Sequence, residues 1–474
     1  MTPVRSGAVT RERAATGAWA LALSLVSLGH CLATPAEAGR TVHLAKPPLH
    51  QLRDSPPTAV GLPALWGDWF GLPEAGMLGN WFGLRPALAK LGIVPTVAWL
   101  TDVQGNPVGG QRQAVREFDN LYAGVDIDLE KLLRAPGTSF SLSLSQRSGT
   151  SLSDLDIGNV FNVAQVCCGA TFRLVNVFLE QPFLDVRVNV RAGRISAGDE
   201  FLTSPLYSLF VQTGINSNPE GIFFNAPGMT TYPTATWGLR VRVDPVPQVY
   251  AMVGVFNGDP TLGENSKHGV DWTMRGPLFA IAEIGYRLNQ EQGSAGLPGN
   301  YKIGGYFNDG RYPDFLRDTS GGFAPLTGLP PATTRGKTGF YVLADQMVYR
   351  EPGGDGKRGL TPFISLLGAP DESVNQMPFF LSGGLVYRGL IPGRGNDVAA
   401  FAAVYGRFSK ELRRAQRQEG SPVQDFELAL EWTYVIQVTR WLAVQPDVQY
   451  IIKPGGTGNI PNALVLGFQL AMAF

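Results

Sequence analysis

The chain has 474 residues, with 39 Lys and Arg balanced by 39 Asp and Glu, and it is rich in turn formers at 58 Gly and 35 Pro. Balanced charge removes the basic footprint of a nucleic-acid binder. Beyond the first 35 residues no apolar run reaches the ~18 residues of a membrane helix, so a membrane could be crossed only by strands.

Arg5, Arg11 and Arg13 precede an uncharged, Ala- and Leu-rich stretch from Ala14 to Pro35, and Ala36-Glu37-Ala38 has the small-x-small pattern of a signal-peptidase site. Residues 1–38 are read as a cleaved export signal, with an uncleaved anchor as the competing reading. Residues 39–94 form a leader. In it Trp66-Gly-Asp-Trp-Phe-Gly-Leu-Pro73 is echoed by "LGNWFGLRP" at Leu78–Pro86, and Leu84–Gly92 reads as a short amphipathic helix stopped by Gly92. Trp66, Trp69 and Trp81 suit interfacial anchoring or packing better than sugar stacking.

From residue 95 to the end, apolar and polar residues alternate with a period of two. Phe140, Leu142 and Leu144 oppose Ser141, Ser143 and Ser145. Within Leu184–Ala192, Leu184, Val186, Val188 and Val190 oppose Asp185, Arg187, Asn189 and Arg191. Phe426, Leu428, Leu430 and Trp432 oppose Glu427, Ala429, Glu431 and Thr433, and Trp441–Tyr450 repeats the pattern around Gln445, Asp447 and Gln449. The chain ends on "NALVLGFQLAMAF", where Leu464, Leu466, Phe468, Leu470, Met472 and Phe474 form one greasy row.

A soluble β-sandwich also alternates. Three features favour a membrane barrel instead. Segments run to about ten residues, as a tilted spanning strand requires. Aromatics gather near segment ends at Trp432, Tyr434, Trp441 and Tyr450. Long loops at Asp309–Lys337 and Glu351–Thr361 contrast with a short connection at Gln181-Pro182, the asymmetry of a barrel with long outer loops. In lipid, strands must close on themselves to satisfy their hydrogen bonds. The expected fold is therefore an all-β, transmembrane antiparallel β-barrel with a short N-terminal helical segment. Cys167 and Cys168 are adjacent and cannot staple a fold; two small residues at a strand end is the favoured reading, a strained ring the alternative.

Several stretches resemble the OprB-type carbohydrate-selective porins: "WGDWFGL", "LGNWFGLRPALAKLGI", "FDNLYAGVDIDLEKL" from Phe118, "LEQPFLDVRVNVRAGRISAGDEFLTSPLY" ending at Tyr207, "GIFFN" at Gly221–Asn225, "YPTATWGLRVRV" ending at Val243, and "PGGTGNIPNALVLGFQL". The resemblance implies an outer-membrane barrel of sixteen strands that passes monosaccharides such as glucose through a constriction of arginines and acidic residues. It also implies that the last strand and Phe474 are read by the outer-membrane insertion machinery, with outer-membrane lipid around the wall. The Cys167-Cys168-Gly169 step and the duplicated Trp motif depart from that pattern.

The cost of turning a cation to lipid, about 2–4 kcal/mol at the midplane, sets the expected register. Arg187 and Arg191 should face the lumen with Asp185 and Asn189, and equal parity places Arg240 and Arg242 there. Glu427, Glu431 and Asp447 are their expected acidic partners from other strands, and Asp199 and Glu200 belong to a loop expected to fold into the pore. Mixed charges suit a neutral polyol, whereas a ring of one sign would select ions.

Neither an enzyme nor a cofactor site is legible. His43, His50 and His268 are the histidines outside the signal, no His-Glu-x-x-His is present, and "GGDGKRG" at Gly353–Gly359 lacks phosphate-loop spacing. A plugged structural or adhesive barrel, or a porin for another small solute, shares every strand-level feature.

Overall fold

The computed structural model describes residues 76–474 apart from 168–169, 185–186, 292–293 and 354–355. The export signal, Trp66, Trp69, Cys168 and Asp185 lie outside the described residues. No helix among the described residues is long and apolar enough to cross a membrane.

Sixteen long antiparallel strands close into one barrel. In chain order they are β1 (Ile93–Val108), β2 (Val115–Asp128), β3 (Ser139–Gly149), β4 (Thr171–Phe183), β5 (Val188–Ile195), β6 (Thr236–Val246), β7 (Val249–Asn257) and β8 (Leu278–Leu288). They continue as β9 (Gly299–Asp318), β10 (Pro331–Gln346), β11 (Gly359–Gly368), β12 (Phe379–Arg388), β13 (Val398–Arg407), β14 (Phe426–Gln437), β15 (Leu442–Ile452) and β16 (Ala463–Ala473). Tyr349–Arg350 prolongs β10 along β11. Each strand pairs with its sequence neighbour, and β1 closes the ring on β16 from Ala98 opposite Ala473 to Val108 opposite Leu464.

The last strand explains its own alternation. Ala463, Val465, Gln469 and Ala471 are buried inward, while Leu466 and Phe468 stand exposed on the outside. An outward apolar row of this kind belongs against acyl chains, since closure leaves no backbone edge for lipid to desolvate. The helix α1 (Leu84–Lys90) packs at the terminal end of the seam between first and last strands: Arg85 stacks on Trp81 (4.6 Å) and donates to the Phe474 carbonyl (2.7 Å). Gly92 ends it with φ +83°, as expected of a residue needed just past a helix.

Connections at the end bearing α1 and Phe474 are mostly short; those at the far end are mostly long, the asymmetry of a barrel with tight turns at one rim and long loops at the other. Three sequence expectations are corrected here. Gln181-Pro182 is not a turn: β4 runs through it, with Pro182 opposite Asn189, and the reversal comes at Leu184–Arg187, where Leu184 takes φ +51°. Proline is tolerated there because the strand is about to leave the ladder. Asp309–Lys337 is largely a long hairpin of β9 and β10, its irregular part confined to 319–330 around a short helical turn at Ala324–Thr327. Glu351–Thr361 lies at the terminal end rather than among the outer loops, because β10 descends and β11 ascends on either side of it.

The apolar core sits inside the barrel. Far-end connections 150–170 and 196–235 fold down into it and bring Phe161, Phe201, Tyr207 and Phe210 against the wall. Phe161 meets Phe380 edge-on at 5.6 Å, and Phe210 meets Phe363 at 5.5 Å. Gly221 allows the close approach, since a Cβ there would lie 2.4 Å from the Phe380 side chain. Cys167 is disulfide-bonded, against the expectation of a small residue at a strand end.

Candidate functional site: a charged constriction

Loop 196–235 leaves β5 and crosses the lumen, bonded to the wall at successive strands. The Leu202 N–H donates to Glu283 on β8 (3.0 Å), Lys302 on β9 donates to the Thr203 carbonyl (2.6 Å), and Ser204 donates to Asp345 on β10 (3.1 Å). Tyr207 and Ser365 on β11 share a 2.5 Å hydroxyl contact, and the Val211 N–H donates to Glu431 on β14 (2.6 Å). A strap fixed at so many points narrows the lumen rigidly, because releasing any one buried N–H or hydroxyl would leave it unsatisfied.

The strap's first turn meets the wall of β4, β5 and β6 in a compact charge cluster. Arg191 donates to Glu180 through Nε (2.9 Å) and pairs with Glu200, while its guanidinium lies 4.2 Å from the Phe178 ring. Arg240 donates through Nε to the other Glu200 oxygen (2.7 Å) and reaches the Asn189 carbonyl (3.1 Å). Asn189 closes the ring by donating to Glu180 (2.7 Å). Two guanidiniums therefore face two carboxylates. Register makes this possible: Arg191 opposes Glu180 on one side and Arg240 on the other.

The two neighbouring acids of the strap behave oppositely. Burial pushes the Asp199 carboxyl up to about 7, helped by the adjacent Glu200 charge. Burial acts the same way on Glu200, but the Arg191 and Arg240 guanidiniums overcome it and hold that group below the usual range.

Of the residues singled out from sequence, Asn189, Arg191, Glu200 and Arg240 come together, with Asp199 alongside. Arg242 stands a step toward the terminal end, bonded to Asp244 (2.7 and 2.8 Å) and stacked 4.6 Å from the Tyr250 ring. Arg187 is exposed in the β4–β5 turn, because the strand expected from Leu184 starts only at Val188. Glu427, Glu431 and Asp447 do face inward, but they are not partners of the arginines. Glu427 accepts from the N–H groups of Val160 (2.8 Å), Phe161 (2.8 Å) and Gly455 (2.7 Å), Glu431 accepts from the strap, and Asp447 accepts from Gln449 (2.7 Å). For Glu427 and Glu431 the reason is physical: inward loops carry unpaired backbone donors, and a lumen-facing carboxylate on the far wall is their nearest acceptor, whereas Asp447 is met by a side chain of its own strand.

Sequence reasoning missed Glu180 and Glu283. Treating Gln181-Pro182 as a turn hid Glu180, which shares inward parity with Phe178. Glu283 sits in "FAIAEIGY", on the same inward face as buried Phe279 and Ile281, and accepts from Tyr250 (2.8 Å) and Tyr341 (2.9 Å). An acid inside an otherwise apolar alternating row was a readable signal.

Comparison with known proteins adds to this geometry. The family model described as carbohydrate-selective porin, OprB family, matches residues 112–474. This chain belongs to the OprB family of carbohydrate-selective porins. Porin B of Pseudomonas aeruginosa is 28% identical over 422 residues, spanning 84% of this chain and 91% of that protein. A putative porin, QuiX of Acinetobacter baylyi, is 23% identical over 443 residues, spanning 86% and 95%. The high-pH structure of Pseudomonas putida OprB superposes with a TM-score of 0.79 at 27% identity, covering 85% of this chain and all of that one. The porin is thus an integral outer-membrane protein with a sugar-channel fold, and its family is one of channels rather than enzymes.

Proposed function

We propose that this outer-membrane sugar porin passes neutral monosaccharides such as glucose down their gradient, through the gap bounded by Asn189, Arg191, Arg240, Glu180 and Glu200. The charge balance of that cluster carries the reading. Guanidinium donors and carboxylate acceptors side by side can exchange several sugar hydroxyls for water without selecting an ion. Phe178, held under Arg191, gives the cluster an apolar flank. Asp199 and Arg242 border the path on either side.

Binding has to be weak for flux. At an association rate of about 10⁷ M⁻¹s⁻¹, a millimolar site releases solute about 10⁴ times per second, whereas a micromolar site does so about ten times. Lipid around the outer apolar row and recognition of the terminal strand by the insertion machinery complete the proposed set of partners.

Planar-bilayer recording with a solute panel is the test. An open conductance that glucose reduces in the millimolar range supports the reading, and a closed barrel or one indifferent to sugars refutes it. Arg191→Ala should raise conductance and weaken glucose block by about tenfold, the scale of one charge-assisted hydrogen bond; wild-type block would remove Arg191 from the path.

A further inference from the structure

Above the constriction, the connections 196–235 and 258–277 meet over the far-end halves of β3 and β4. Between them lies a half-open cavity of about 160 Å³ whose lining includes Ser145, Arg147, Thr171, Arg173, Thr234 and Asn265. Arg173 and Glu180 are seven positions apart on β4, so roughly 20 Å of strand separates this cavity from the constriction cluster.

The two arginines here are treated unlike those below. Arg173 is 2% exposed; it donates to the Thr234 hydroxyl (2.7 Å), the Gly263 carbonyl (3.0 Å) and the Asn265 side-chain oxygen (2.8 Å), and among the described residues its Nε has no partner. Arg147 is 6% exposed; it donates to the Cys167 carbonyl (3.1 Å) and to Asn120 (3.4 Å), lies 5.4 Å from the Tyr232 ring, and leaves Nη2 buried and unpartnered among the described residues. All these acceptors are neutral, and among the described residues neither guanidinium forms an ion pair. Asp102, the carboxylate Arg147 senses at longer range, accepts instead from Gln469 (3.3 Å). Strand register holds the two cations together, with Ser145 opposite Arg173 and Arg147 opposite Thr171.

Burying two cations among neutral acceptors is costly unless an anion completes the site. Two fixed forks and nearby hydroxyls are the equipment for an oxyanion. The volume is several times what a single water needs, enough for a carboxylate or phosphate with part of its carbon skeleton. We infer that the Arg147–Arg173 cavity is a binding site for the oxyanion group of an acidic sugar, captured at the outer vestibule before the neutral-sugar constriction. This goes beyond the neutral-monosaccharide reading and does not use its residues.

The test compares gluconate with glucose, which have similar skeletons but differ in charge, on the full-length protein in planar bilayers. Gluconate should block at about tenfold lower concentration than glucose, the effect of one or two charge-assisted hydrogen bonds. Arg173→Gln and Arg147→Gln should abolish that advantage while leaving glucose block within about twofold, and Arg147→Lys should keep more of it than Arg147→Gln. Inorganic phosphate that relieves gluconate binding identifies the oxyanion alone as the recognised group; phosphate without effect shows that the sugar skeleton is also needed. Equal potency of gluconate and glucose on the wild type, or parallel loss of both in the variants, overturns the inference. Calorimetry of gluconate on the detergent-solubilised protein reads binding independently of conductance, so a closed channel would sink the neutral-sugar reading without touching this one. Heat-modifiable electrophoretic mobility confirms that each variant is folded.

Discussion

The β4–β6 wall, with the strap turn that meets it, and the β14–β15 wall both carry inward glutamates, yet these do different work. Glu180 and Glu200 are paired directly with the Arg191 and Arg240 guanidiniums, the arrangement proposed to meet a passing solute. Glu427 and Glu431 are fully buried and spent on backbone N–H groups of the two inward connections. The lesson is that lumen-facing parity says where a charge points but not what will meet it. That depends on which loop folds inward, and against which wall.

Removing a clasp should have the largest effect. In Glu427→Ala three donors, the buried Phe161 N–H and the part-buried Val160 and Gly455 N–H groups, lose their acceptor together. At about 1–3 kcal/mol per unsatisfied group, a loss of roughly 3 kcal/mol or more is expected. The connection 150–170 should then come away from the wall, giving a larger, noisier single-channel conductance and a lower thermal midpoint. Quiet wild-type conductance in this variant would mean that the clasp is dispensable and the contrast between the walls is false.

Glu200→Ala probes the other wall. It leaves Arg191 with Glu180 and Arg240 with Asn189 alone, so the constriction turns net positive. Glucose block should weaken by about tenfold and the zero-current potential should shift toward anion selectivity, while the melting temperature falls less than in Glu427→Ala because water in the lumen can solvate the freed cations. An unchanged selectivity would show that the cluster lies off the conducting path.

Acidity offers a milder perturbation of the strap that joins both walls. Burial raises Asp199 to about 7 and Glu220 to about 8, from ordinary carboxylate values. In the docked strap these groups hold protons that the released strap gives up, so their contribution is fully present below about pH 4 and is lost as pH rises through about 7 to 8. Glu200 works in the opposite sense, its pairing lost only as pH falls below the usual carboxylate range. Hydrogen exchange in 196–235, corrected for intrinsic rates, should therefore quicken several-fold between pH 5 and pH 8, and Asp199→Asn should flatten the dependence. Exchange that slows across that range would contradict the burial of these two acids.

Much of this was legible beforehand, and the limits have a common cause. Period-two alternation identified barrel strands, the inward face of the terminal strand, and Asn189, Arg191 and Arg240 as lumenal. Gly92 correctly ended the leader helix. What alternation cannot report is the end of a strand, since Pro182 can sit in a ladder and Leu184 can take a left-handed turn that no composition rule anticipates. One misplaced turn hid Glu180 and promoted Arg187. The pairing of acids was illegible for a different reason: it arises from contacts as remote as Phe161 with Glu427, which no local pattern encodes.

Arg187 gives the smallest predicted effect and the sharpest test of that boundary. Its side chain is exposed, and the turn uses only its backbone, which donates to the Leu184 carbonyl (3.2 Å) and accepts from the Asp244 N–H (2.8 Å). Arg187→Ala preserves both bonds, so stability should stay within about 0.5 kcal/mol of wild type, as for other surface substitutions. Glucose block and ion selectivity should likewise be unchanged, in contrast to Arg191→Ala four residues further along the same wall. Should Arg187→Ala weaken glucose block as Arg191→Ala does, the side chain would have to reach the lumen. The strand would then begin before Val188, and the alternation would have been the better guide to this turn than the fold described above.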